Sequence, residues 1–273
     1  MAIGLSTYAF FWRISPDAEK PLTVPGMLEQ TRELGASVFQ LCDYPRVEEL
    51  STADLRDVRA AAAANGIQLE LGTRGVHPAH LRRYLELAEA LDVSLVRSML
   101  YSAEHRPTLA EATEHLREAM PGYAERGVTL ALETYEQVRA ADLVDVVDAV
   151  GSQHLGICLD PANCVANLEL PRQVIETTAR HVANIHVKDF TFARQAGWVG
   201  FTLSGCKLGE GRLDYDAMIE RVRPGEKNIN QIVEHWLPRQ DDFAETCRLE
   251  DEWTRHSVEF LRSSAATGAD RDV

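Results

Sequence analysis

Residues 127–160 read GVTLALETYEQVRAADLVDVVDAVGSQHLGICLD. After the glycine comes an apolar run, Val128–Glu133, that ends in a carboxylate. A helical pattern follows over Ala140–Val150, with apolar residues three and four apart. Gly151 then offers the left-handed stop that ends helices. A second apolar run, Leu155–Asp160, also ends in a carboxylate. The passage spans 34 residues, the size of one βα unit.

The same unit recurs in both directions. Strand patterns fall at Ala2–Tyr8, Ser37–Cys42, Ile67–Gly72, Leu95–Leu100, Val182–Val187 and Gln231–Trp236. Helical patterns fall at Leu50–Ala64, His80–Leu91, Leu109–Arg126 and Pro171–Arg180, with Pro171 suited to a first turn. Gly35, Gly66 and Gly127 stand where Gly151 does, after a helix and before a strand. Eight units in 273 residues (273/8) average about 34 residues each. Strand–helix alternation implies right-handed crossovers and a parallel sheet, and eight units close into an α/β (β/α)8 TIM barrel. A doubly wound sheet would want a Gly-rich fingerprint after the first strand, where Thr7–Trp12 has none. The expectation is one barrel domain over residues 1–263, a loop over the barrel mouth at about 189–213, and a flexible tail over 264–273. That loop shows no helical pattern but carries Phe190, Phe192, Trp198 and Phe201, and long ordered loops are usually functional.

Composition narrows the partners. With 28 basic and 42 acidic residues the net charge is −14, and the longest basic runs are pairs such as Arg82–Arg83, so no nucleic acid is expected. No stretch approaches 18 uninterrupted apolar residues, so no membrane span is expected. Met1–Leu5 lacks a basic n-region. The five cysteines are odd in number and form no C-x-x-C pair. A cytoplasmic location follows as the expectation.

In such a barrel the chemistry sits where strands end. Strands five to eight bring Glu133, Asp160, His186 and Glu234 to one rim. Three crowded carboxylates repel one another, and a divalent cation removes that cost. Three oxygen ligands and one imidazole suit Mn²⁺, Mg²⁺ or Co²⁺, and admit Zn²⁺. Each residue alone has a plainer reading: Asp160 before Pro161 can be a helix cap, and His186 a hydrogen-bonded core residue.

The segments Ala131–Glu133, Cys158–Asn163, Ile185–Asp189 and Ile232–His235 resemble the xylose isomerase-like TIM-barrel superfamily. Its members include sugar isomerases and epimerases, inositol-catabolic enzymes and endonuclease IV. The resemblance implies one divalent metal held by Glu133, Asp160, His186 and Glu234, and a proton-moving role for Glu133 and Glu234. It implies a small carbohydrate or sugar-acid substrate and a dimer or tetramer. The main expectation is therefore a metal-dependent isomerase or epimerase working through a cis-enediolate. Asn163 departs from the epimerases, which carry a histidine there, and so does Lys188. Endonuclease IV would need further zinc ligands and a basic face.

Lys188 at the rim can act on an acidic substrate, or pair with Asp189 or Glu133. Arg74, in Gly72-Thr-Arg-Gly75, is a second rim cation or a plain surface residue. These cations raise an alternative: decarboxylation of a 3-oxo sugar acid such as 3-oxo-isoapionate. The stretches Gly4–Trp12 and Gly197–Phe201 look similar to the branch that catalyses it. Tyr8, Trp12, Arg74, Asn163, Trp198 and His235 are the candidate substrate contacts, with helix packing the other reading for the aromatic ones. A noncatalytic sugar sensor would be expected to have lost metal ligands, and all four are present.

Overall fold

A computed structural model describes residues 1–269. In chain order the strands are Ile3–Ser6 (β1), Val38–Cys42 (β2), Gln68–Gly72 (β3), Leu95–Ser98 (β4), Thr129–Glu133 (β5), Leu155–Leu159 (β6), Val182–Val187 (β7), Asp189–Arg194 (β8), Phe201–Cys206 (β9) and Asn230–Val233 (β10). β1 to β7 and β10 pair in parallel and close into a barrel, with β10 between β7 and β1. The helices are Val24–Glu33 (α1), Arg46–Glu49 (α2), Thr52–Ala64 (α3), Pro78–Leu91 (α4), Leu109–Glu125 (α5), Ala140–Val150 (α6), Pro161–Cys164 (α7), Pro171–Thr178 (α8), Tyr215–Val222 (α9), Pro224–Lys227 (α10) and Phe243–Ala269 (α11). The chain is thus a single (β/α)8 barrel.

Local chemistry sets these boundaries. Ser51 and Asp54 form a reciprocal capping box on α3, and Thr108 and Glu111 form one on α5. Gly35, Gly66, Gly127 and Gly151 all have φ between 64° and 72°, the left-handed geometry that their positions after helices predicted. The main apolar core fills the layer between strands and helices. Leu5, Phe39, Leu71, Leu81, Leu130 and Ile185 are among its fully buried members.

Inside the barrel the packing differs. A small apolar group, Leu95, Ala131 and Cys158, occupies part of the bore. Elsewhere side chains from β2, β3, β7 and β10 meet as a polar cluster of Gln40, Glu70, Asn184 and Asn230. Barrels more often stack branched aliphatics there.

Three expectations are corrected. The first strand stops at Ser6, because the Ser6 hydroxyl accepts a hydrogen bond from Tyr8 N and starts a 3-10 turn over Thr7–Phe10. The stretch 189–213 is not a structureless loop. β8 and β9 form an antiparallel hairpin around a turn in which Gly197 and Gly200 take φ of 73° and 94°. Alternating aromatic and polar residues on β8 favour that pairing. At the hairpin base, a Cβ on Gly205 would lie 2.5 Å from Trp236 O, so only glycine lets the hairpin dock on the β10 exit. Finally, α11 carries helix through Ala269, where a flexible tail was expected from 264. Its alanines have high helix propensity and extend a helix already nucleated. The last four residues of that expected tail, 270–273, lie outside the described residues. No helix among the described residues is long and apolar enough to cross a membrane.

Candidate active site

The ends of β5, β6, β7 and β10 converge. Glu133 is the last residue of β5, Asp160 and Glu234 directly follow β6 and β10, and His186 sits within β7. One ligand atom from each lies within 4.8 Å of all the others, and all four residues are buried. His186 Nδ1 is 3.3 Å from Glu133 Oε1, 3.3 Å from Glu234 Oε1 and 4.0 Å from Asp160 Oδ2.

The donor set fits a divalent cation. Glu133 Oε2 and Asp160 Oδ2 are buried and accept no hydrogen bond of ordinary geometry. They face the Arg97 guanidinium and the Lys188 ammonium as ion pairs. Even so, three buried carboxylates stay within 4.8 Å of one another, a repulsion that a divalent cation would relieve. Three oxygen donors and one imidazole select a hard or borderline ion. Cys42 also lies within reach of His186 and Glu234, but burial pushes its thiol pKa well above the ordinary value, so it stays a neutral neighbour.

Both plain readings of Asp160 and His186 hold alongside the functional one. Asp160 Oδ1 caps α7 by accepting from Ala162 N at 3.2 Å and Asn163 N at 3.3 Å, which leaves Oδ2 for the site. His186 Nε2 is hydrogen bonded to Gln40 Oε1 at 2.8 Å, which leaves Nδ1 for the site.

Two cations are built in. Arg97, inside β4, pairs with Glu133 on one side and with Asp43 Oδ1 at 2.9 Å on the other. Lys188 Nζ lies 2.7 Å from Asp160 Oδ2 and 2.8 Å from Glu234 Oε2, with its charge 5.1 Å from the Trp236 ring centre. These carboxylates, and not Asp189 or Glu133, are its partners. Asp189 is otherwise engaged: its carboxylate accepts from the backbone N–H of Phe190, Gly209, Gly211, Arg212 and Leu213. That cradle holds the return of the hairpin to the barrel.

The charges shape the titration. Burial works against the Glu133 carboxylate, but Arg97, then His186 and Lys188, hold its pKa below the ordinary value. Burial pushes Asp160 up; Lys188 opposes it, and the neighbouring Glu133 and Glu234 add to the rise. Glu234 is held low by His186 and Lys188 against its burial. Burial alone would lower the Lys188 pKa, but Asp160 and Glu234 raise it well above that of a free lysine. The neighbouring cations thus favour the ionised form of both glutamates, and the neighbouring carboxylates favour the protonated form of Lys188.

The remaining candidates divide. Asn163 Nδ2 donates to Glu133 Oε1 at 2.8 Å and so belongs to the site. Tyr8 and Arg74 form a rim network around Asp43: Tyr8 OH donates to Asp43 Oδ2 at 3.0 Å, and Arg74 donates to both. The structure does not bring the other three in. His235 alternates with Glu234 and faces outward, against Thr254 Oγ1 at 3.1 Å and the Trp253 ring. Trp12 Nε1 donates to Leu237 O at 2.9 Å and its backbone N–H to Glu250, so it ties the β1 exit to the C-terminal helix. Trp198 is 78% exposed at the hairpin tip, with the Arg194 guanidinium over its ring.

Arg97, Asp43, Ser6, Gln40 and Glu70 were missed. Arg97 had a visible signal, an arginine inside the apolar strand Leu95–Ser98. Ser6 Oγ donates to Glu234 Oε1 at 3.0 Å, and a serine in a strand carries no such signal. A cleft of about 1040 Å³ lies on the outer wall near Arg172, Ile219 and Pro224, away from the strand ends. It gathers no ligand set.

Comparison with known proteins accords with this geometry. The profile of the xylose isomerase-like TIM barrel family matches residues 28–264. A 3-oxo-isoapionate decarboxylase of Pectobacterium atrosepticum is 60% identical over 261 residues, covering 96% of this chain and 95% of that protein. D-psicose 3-epimerase from Clostridium cellulolyticum H10, solved with D-tagatose, superposes with a TM-score of 0.73 at 16% identity, over 96% of this chain and 99% of the other. A xylose isomerase-like TIM barrel protein from Mycobacterium smegmatis, in complex with magnesium, gives 0.67 at 18%, over 94% and 96%. At such identities these two structures speak to the fold alone.

Proposed function

The chain belongs to the xylose isomerase-like TIM barrel family, and from that premise we propose that it is a divalent-metal-dependent decarboxylase of a 3-oxo sugar acid of the 3-oxo-isoapionate kind. The relative that is 60% identical is a decarboxylase of that name. The observation within the site that carries the reading is Lys188, a buried ammonium held at 2.7 and 2.8 Å by Asp160 and Glu234. This decarboxylase reading displaces the isomerase or epimerase expectation. An epimerase needs a base strong enough to take a proton from carbon and an acid on the opposite side. Here position 163 is an amide, which cannot serve as that acid.

Charge bookkeeping supports an anionic substrate. Glu133, Asp160 and Glu234 contribute −3, and Arg97 and Lys188 contribute +2, which leaves −1 with His186 neutral. A divalent cation held by Glu133, Asp160, His186 and Glu234 brings the cluster to +1, which attracts a carboxylate. Mn²⁺, Mg²⁺ or Co²⁺ suits the donors best, with Zn²⁺ admissible. Bound there, it supplies Lewis acidity for the charge that develops on the substrate's carbonyl oxygen.

The rest is the work of this chain's residues. The bond between the carboxyl carbon and the α carbon breaks, its electron pair enters the α carbon–carbonyl system, and CO₂ leaves. No base is required. The step needs one proton delivered to the α carbon, and Lys188 Nζ, an ammonium held between Asp160 and Glu234, is the group we assign to deliver it. Solvent then reprotonates it. Asp160 and Glu234 position Lys188, while Arg97 and Asn163 fix Glu133 from two directions. Tyr8 and Arg74 stand at the rim, where a sugar acid's hydroxyls and carboxylate can be met.

Metal-loaded protein offered 3-oxo sugar acids and a panel of ketoses should release CO₂ from the acids. It should place no solvent deuterium at carbon in the ketoses. Deuterium exchange into a ketose without CO₂ release from any acid would reinstate the epimerase.

A further inference from the structure

The polar cluster in the barrel bore has no place in the mechanism so far, yet it touches His186. Glu70 is fully buried, and three amides converge on its carboxylate. Asn230 Nδ2 donates to Oε1 at 2.8 Å; Gln40 Nε2 and Asn184 Nδ2 each donate to Oε2 at 3.1 Å. The Asn184 amide is fixed from its other end too, since its Oδ1 accepts from Gln40 Nε2 at 3.4 Å and from the Cys158 thiol at 3.6 Å. A carboxylate only accepts, so each amide must turn its NH₂ toward it. That decides an orientation which the shape of a glutamine leaves open. With Gln40 Nε2 committed to Glu70, Gln40 Oε1 must face the imidazole, and it does, 2.8 Å from His186 Nε2. An amide oxygen cannot donate, so Nε2 must carry the hydrogen. Nδ1 then faces Glu133, Asp160 and Glu234, and with a cation among them it would be the nitrogen that offers a lone pair.

We infer that Glu70 and Gln40 are positioning residues that fix the His186 tautomer, presenting Nδ1 to the metal across the barrel bore. The chain of contacts runs from β3 through β2 to β7, so the barrel's floor sets the chemistry of its rim. Partners of this kind typically change metal affinity by about 10–100-fold when removed. Conversion of Glu70 to glutamine has a specific consequence. An amide in that place can offer NH₂ to Gln40, which lets Gln40 flip and present its own NH₂ to Nε2. The opposite tautomer is then favoured, with volume conserved.

The inference rests on the metal reading of the site, and zinc, which is diamagnetic, tests the two separately. Full-length protein labelled with ¹⁵N-histidine is loaded with Zn²⁺ and examined by NMR through the two-bond couplings of the ring. Zinc affinity is measured by competition titration for wild type, Gln40→Leu and Glu70→Gln. The expected result is an Nε2–H, Nδ1-ligated His186 in the wild type, with affinity lowered about 10–100-fold in both variants. The metal-free melting temperature of Glu70→Gln should fall modestly, because the new NH₂ also faces Asn184 Nδ2 or Asn230 Nδ2, and Gln40→Leu carries the test free of that conflict. A zinc-loaded wild type with the proton on Nδ1, or variants that bind zinc as the wild type does, would overturn the inference and leave the metal site standing. Failure of the wild type to bind zinc, manganese or magnesium would overturn both.

Discussion

The Lys188 ammonium stands 2.7 Å from the Asp160 carboxylate, on the neighbouring strand end of the barrel. An extra cation inside a ligand set is expensive to bury, and two carboxylates hold it there. If its role is to deliver a proton, Lys188→Met should lower kcat by about 10²–10⁴-fold. Zinc or manganese affinity should hold or rise, since a competing positive charge is gone. Pre-steady-state CO₂ release and metal titration on the same preparation check both halves. Retained turnover would assign the proton to another donor.

Arg97 joins Glu133 to Asp43 from inside β4. Arg97→Met takes the guanidinium from the buried Glu133 and leaves Asp43 with Arg74 alone, a loss of about 3–5 kcal/mol. Urea unfolding of the metal-free protein measures it. Arg97→Lys should not restore stability, because one ammonium cannot make the divergent contacts of a guanidinium.

Asp43 gives a pH dependence with a definite sign. Burial works against its ionisation, but Arg97 and Arg74, with the Tyr8 hydroxyl, hold its pKa below the ordinary 3.8. A depressed folded value means that stability from this group is present above about pH 4 and is lost as pH falls through the folded value. Wild type and Asp43→Asn should therefore differ most at pH 6 and converge toward pH 3. Denaturant midpoints across that range provide the check; a gap that widens on acidification would contradict the network.

Metal should stabilise the fold as well as activate it. At a hundredfold excess over Kd, a ligand that binds only the native state adds about 2.7 kcal/mol. For a chain of this size that corresponds to about 5–10 °C in Tm. Chelation should remove both the shift and the activity, and scanning calorimetry with and without Mn²⁺ reads the first. Equal Tm values would speak against the four-residue site.

Trp198 offers a contrast. It projects from the hairpin, 78% exposed, with the Arg194 guanidinium over its ring. Trp198→Ala should leave kcat/KM within about twofold in steady-state assays, the small effect expected of a surface change away from the chemistry.

The barrel and the convergence of Glu133, Asp160, His186 and Glu234 were legible because period and punctuation agree. Apolar runs, helical spacing and glycine stops all repeat at one interval, and carboxylates close successive strands. What escaped depends on geometry across the bore. Glu70 and Asn230 are 160 positions apart yet in contact at 2.8 Å, and no local pattern announces that. His235 and Glu234 are adjacent and both polar, but strand alternation turns only one inward. Trp12 and Trp198 are aromatic near the rim, and composition alone does not say which way a ring points. The hairpin shows no helical periodicity because its alternation has a period of two.

The central claim is that this barrel breaks a carbon–carbon bond to a carboxylate. Carboxyl-¹³C-labelled 3-oxo-isoapionate, incubated with metal-loaded protein in D₂O, tests it most directly. The account predicts ¹³CO₂ at a rate that vanishes on chelation, and one deuteron on the α carbon of the product. Label retained in the acid while its stereochemistry or keto position changes would contradict it.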